Sequence, residues 1–159
     1  MAKTFQSIGK ELLMLHQLQL KNFKSVLNLL DQVGTLRCLQ LRPYIDAALQ
    51  SEQKHVSVLT PHFGNDKCHC GEKNASDCGP ESCLVPEGCG INSEMDLRSH
   101  LSLNLYYESY ESYLLLLLRE IVKESPNKDL KMVVENLLQE ENNHNNDALL
   151  MFSLIAKDQ

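Results

Sequence analysis

Apolar residues recur along this chain at intervals of three and four. Ile8, Leu12, Leu15, Phe23, Val26 and Leu30, with lysines and glutamines between them, predict a helix from about Phe5 to Val33 that stops at Gly34. Ile45, Ala48, Glu52, His55 and Leu59 form a second stripe, with Pro43 in its first helical turn, a short leading turn around Leu36 to Leu41, and an end at the run TPHFG. A third stripe, Leu101, Asn104, Glu108, Glu111, Leu115, Leu118 and Val122, predicts a helix from about Asp96 to Glu124. After the short turn SPNKD, Val134, Leu137, Glu141, His144, Ala148, Met151 and Ile155 define a fourth. From about His62 to Ser93 the chain is rich in Gly and Cys and has no period, so it reads as a long connection. Almost no alternation of Val, Ile and Thr competes for a sheet.

Two helical hairpins with short internal turns, joined by one long link, are the chain order of an all-α four-helix bundle with a single crossover. A length of 159 residues with 43% apolar content suits a single domain over 1–159, with 62–95 as a Cys-rich crossover insertion. A chain of that size buries roughly 68–70% of its unfolded surface.

The stripes are not purely apolar. Glu52 and His55 stand three residues apart in the second, Glu141 and His144 three apart in the fourth, each pair on the side that otherwise faces the core. Bare carboxylates there are costly. At that spacing an oxygen and an imidazole nitrogen project from one helix face, so both can approach a metal, and two such units on opposing helices can approach a pair. The third stripe adds Glu108 and Glu111. Glu108 precedes Glu141 by 33 positions, and Gln19 precedes Glu52 by the same 33. Gln19, Glu52 and His55 thus correspond to Glu108, Glu141 and His144 at an offset of 89, a weak internal repeat carried by the polar positions.

On these residues, SEQKH (Glu52, His55), YYESYE (Glu108, Glu111) and QEENNH (Glu141, His144), the chain resembles the ferritin-like carboxylate-bridged di-metal superfamily, most nearly its rubrerythrin-like branch. The resemblance covers both hairpins and not the Cys-rich link. It implies a ferritin-like bundle in which a Glu from each of two helices and a Glu-x-x-His from each of the other two point inward. Gln19 departs from the pattern, since the family places a carboxylate there and an amide is a weaker, neutral ligand. Glu111 compensates in charge: Glu52, Glu108, Glu111 and Glu141 balance two divalent cations, with His55 and His144 as neutral ligands. His16, one turn before Gln19, could replace the missing ligand or serve as a hydrogen-bonded helix histidine. Tyr106, Tyr107, Tyr110 and Tyr113 surround the third-helix glutamates. Of these, Tyr107 and Tyr110 are the candidate catalytic phenols, able to donate a proton at the centre or carry an oxidising equivalent. The competing reading is a buried ring with a wet hydroxyl.

Fifteen basic against twenty-one acidic residues leave a net charge of −6 without a basic cluster, which argues against nucleic acid. The longest apolar run, Leu114 to Leu118, is far short of a membrane span, and the N-terminal stretch lacks a signal-type apolar region, so the expectation is a cytoplasmic protein without membrane contact. Five consecutive leucines exceed one inward stripe, leaving some for an outward surface, and the resemblance implies a homodimer. Cys68, Cys70, Cys78, Cys83 and Cys89 crowd the link beside His62 and His69. Their spacing does not match paired C-x-x-C knuckles or a rubredoxin-type site. Disulfides, structural zinc, an iron–sulfur cluster and copper all remain open for them.

The leading expectation is a ferritin-like protein with two iron or manganese ions in the bundle, reacting with dioxygen or peroxide as a peroxidase-, ferroxidase- or oxygenase-like oxidoreductase, with a redox partner to supply electrons. Two alternatives belong to other classes: a metal-binding or interaction module whose Cys-rich segment is the functional part on a helical scaffold, and a metal-free structural bundle whose glutamates are satisfied by histidines and tyrosines as buried hydrogen-bonded pairs.

Overall fold

The structure, a computed structural model, describes residues 4–33, 36–64 and 96–156. Four helices account for nearly all of them: α1 (Phe5–Val33), α2 (Leu36–Phe63), α3 (Leu97–Val122) and α4 (Lys128–Ala156). Three begin in the same way. Thr4 Oγ1 accepts the Ser7 N–H at 3.2 Å, Asp96 Oδ1 the Ser99 N–H at 2.7 Å and Asn127 Oδ1 the Leu130 N–H at 3.0 Å, so each residue before a helix satisfies an amide of its first turn.

The second helix differs from the sequence expectation. It starts at Leu36 without a separate leading turn, and it runs through Pro43 and Pro61, so Pro43 lies in its interior and TPHFG does not break it before Phe63. Each proline removes one backbone bond, but Pro43 is exposed, where its ring costs no packing, and burial of Leu41 and Ile45 on either side holds the helix to the core. Pro61 falls in the last turn, which closes through Gly64 N–H to Thr60 O at 2.8 Å.

α1 packs on α2 and α3, and α4 on α3 and α2. Phe5 meets Phe63, Asn22 meets His100 and Ser51 meets His144, so neighbouring helices run antiparallel and the diagonal pair α2 and α3 runs parallel. Gly64 and Asp96 therefore stand at opposite ends of the bundle, which makes the connection between them the single crossover. The hairpin seam is tight near its open end: a Cβ on Gly9 would sit 2.1 Å from the Phe63 ring. Among the described residues no helix is long and apolar enough to cross a membrane.

Two apolar clusters fill the interior. One joins Ile8, Leu12 and Leu15 of α1 to Leu59, Leu115, Leu118 and Val134. The other joins Phe23, Val26 and Leu30 to Leu41, Ile45, Leu101, Ala148 and Met151. The predicted stripes are the buried faces, except that Ala48, His144 and Ile155 are half-buried. Of the five leucines, Leu114, Leu115 and Leu118 are buried and Leu116 faces outward.

Candidate metal centre

Between the two apolar clusters, each stripe places its polar residues at one level. α1 brings His16 and Gln19, α2 Glu52 and His55, α3 Glu108 and Glu111, and α4 Glu141 and His144. All but His144 are at most 2% exposed, and the His144 side chain is 15% exposed. Four overlapping trios form: His16, Glu52 and His55; His55, Glu141 and His144; Glu52, Glu108 and His144; Glu108, Glu111 and Glu141. Within each, one donor atom per residue lies within 4.8 Å of the others, so these buried groups could hold metal.

The imidazoles of α2 and α4 are held from outside. His55 Nε2 lies 3.0 Å from Glu140 Oε2, and Glu140 also accepts from Lys54 Nζ at 2.6 Å. His144 Nε2 lies 2.9 Å from Ser51 Oγ. The inner nitrogens face carboxylates: His55 Nδ1 is 3.9 Å from Glu52 Oε1 and 4.0 Å from Glu141 Oε1, and His144 Nδ1 is 3.5 Å from Glu141 Oε1. Neither inner nitrogen makes a hydrogen bond, nor does either carboxylate oxygen of Glu141. A proton donated from His55 Nε2 to Glu140 leaves the Nδ1 lone pair inside. That is the outer-carboxylate arrangement that orients histidine toward a metal.

Burial also sets the charge states. It pushes Glu52 up to about 8 and raises Glu108 and Glu111 well above the ordinary carboxylate range, with neighbouring carboxylates adding to the effect. It lowers His16 to about 4 and lowers His55, whereas at His144 the desolvation is outweighed by Glu141 and its neighbours, which raise it. Glu140, though partly desolvated, is lowered by its bonds to Lys54 and His55. Burial this deep disfavours the anions of Glu52, Glu108 and Glu111 unless cations enter. The donor set, carboxylate oxygens and neutral imidazoles with unpaired inward atoms, fits divalent ions.

Every bundle residue expected at the site lies in this band, Tyr107 and Tyr110 excepted. Gln19 is fully buried and donates from Nε2 to Glu111 Oε2 at 3.2 Å, while its carbonyl oxygen is unpaired. The Tyr107 ring belongs to the first apolar cluster. Tyr110 donates its hydroxyl to Glu11 across the α1–α3 seam and stacks between Tyr106 and Tyr113 at ring separations of 6.1 and 6.0 Å. Cys68, Cys70, Cys78, Cys83, Cys89 and His69 lie outside the described residues.

Three residues matter more than the sequence suggested. His16 takes a central place, with Nδ1 2.6 Å from Glu52 Oε2 and 3.1 Å from Glu111 Oε1. Its position one turn from Gln19 was the available signal. Glu140 and Ser51 each stand beside a stripe residue in sequence, and only the α2–α4 contact reveals them as partners of His55 and His144. Compared with family models, curated proteins and solved structures, the chain matches none.

Proposed function

We propose that the polar band holds two divalent ions, iron or manganese, and that the protein uses them in dioxygen- or peroxide-dependent redox chemistry. The observation that carries this reading is the set of inward imidazole nitrogens and carboxylate oxygens, contributed by four helices, buried and without hydrogen-bond partners. An interior kept for stability alone satisfies such groups or replaces them with apolar ones. Glu52, His55, Glu108, Glu111, Glu141 and His144 would hold the ions. A redox-active pair supplies there the two-electron change that dioxygen or peroxide requires.

The chain's own residues do the remaining work. Glu140 and Ser51 fix the rings of His55 and His144, Gln19 orients Glu111, and the apolar clusters on either side keep bulk water from the carboxylates. Tyr110, whose hydroxyl donates to Glu11, would carry an electron or proton along the α1–α3 seam rather than bind an ion.

The test is metal content. Protein purified without added metal is expected to carry about two iron or manganese ions per chain, and a Glu141→Ala/His144→Ala variant that still melts cooperatively is expected to lose them. Metal retained at full count in the folded variant would place the ions outside the band and end this reading.

A further inference from the structure

The four trios of the centre are not equivalent. His16, Glu52 and His55, from α1 and α2, share no member with Glu108, Glu111 and Glu141, from α3 and α4, and the remaining two trios straddle them through His144. The first set offers two imidazoles and one carboxylate. The second offers three carboxylates and no nitrogen. His16 makes the difference, and it is poorly explained as a packing residue. Its ring is fully buried, edge-on to the His55 ring with centroids 4.9 Å apart. Nδ1 reaches Glu52, yet Nε2 has neither solvent nor a hydrogen-bond partner. A histidine serving only to hold Glu52 would strand that second nitrogen at a cost, and an ion removes the cost. Gln19 strengthens the asymmetry, because a neutral amide stands on α1 where the repeat puts Glu108 on α3.

We propose that His16 is a third imidazole of the centre and makes its two metal positions unequal: a nitrogen-rich position on α1 and α2 that selects an imidazole-seeking ion, iron(II) in the protein with zinc as its redox-silent stand-in for binding tests, and an all-oxygen position on α3 and α4 that selects a harder ion such as manganese(II). The chemistry is general, since imidazole favours the later divalent metals and carboxylate suits manganese. The proposal rests on the metal reading above and adds that the resting centre is mixed.

The experiment loads metal-stripped protein with equal excesses of zinc and manganese, removes free ions, counts each per chain, and records the manganese resonance spectrum. About one zinc and one manganese per chain, with the signal of magnetically isolated manganese, is the expected result. His16→Leu should lower zinc retention in the competition by at least about tenfold while manganese stays near one per chain. His16→Gln, which keeps a polar side chain of similar length, provides the same comparison if the leucine variant does not fold. Two ions of one kind, or a statistical mixture, in the wild-type protein would overturn the inequality and leave the metal reading standing. A one-to-one loading unchanged in either folded variant would overturn the role of His16. No retained ion in the wild-type protein would overturn both readings.

Discussion

The same four helices build two kinds of interior. Toward either end, residues such as Leu115 and Phe23 belong to apolar clusters and are 0% exposed. In the middle, four glutamates and three histidines, all but His144 just as buried, meet one another. The helical period treats both alike, since one stripe passes through both, but their energetics have opposite sign. An apolar layer stabilises the fold as it stands. The polar band costs the fold until something of opposite charge enters it.

The largest effect should come from breaking the apolar side of the comparison. Phe23→Ala, at a fully buried ring, is expected to destabilise the protein by about 3–5 kcal/mol in denaturant unfolding, whether or not metal is present. Loading the band should come next. At a metal concentration about a hundredfold above Kd, the linkage amounts to about 2.7 kcal/mol, visible as a rise in Tm that chelator reverses.

Acidity sharpens the contrast further. Glu52, raised to about 8, binds its proton more tightly folded than unfolded, so between its ordinary value and about 8 the metal-free fold loses stability as pH rises. His16, lowered to about 4, and His55 act in the opposite direction below about 6.5, whereas the raised His144 acts with the glutamates. The clear window is therefore pH 6.5 to 8. There the chelated protein's unfolding free energy should fall by up to about 2 kcal/mol from Glu52 alone, and excess metal, which competes with those protons, should flatten or invert the slope. The smallest effect is the most specific. Glu111→Gln removes one ionisable group that burial disfavours, and should raise metal-free stability at pH 8 by about 1 kcal/mol while weakening metal retention. A loss of stability in that variant would place the band with the ordinary core.

The sequence carried this division unevenly. The buried faces and the helices bearing Glu52, His55, Glu108, Glu111, Glu141 and His144 could be read from spacing alone, because three- and four-residue steps map directly onto one helix face. α2 could not be read whole, since proline signals are local and the burial of Leu41 and Ile45 that overrides them is not. His16 was visible only as a neighbour of the stripe. The facing helices decide whether an edge position turns inward, and here Glu52 and Glu111 draw its ring between them. Glu140 and Ser51 belong to contacts across α2 and α4 that leave no periodic trace.

Two of the trios draw from both hairpins, joining Glu52 of α2 to Glu108 of α3 and His144 of α4, and His55 of α2 to Glu141 and His144. An ion seated there would be a staple between halves of the chain that otherwise meet through apolar packing and side-chain hydrogen bonds. In its absence the α1–α2 and α3–α4 hairpins are expected to open as separate exchange units, each with its own local opening energy. With it, neither can open without releasing the ion, and amide exchange across the whole bundle would merge into a single cooperative event.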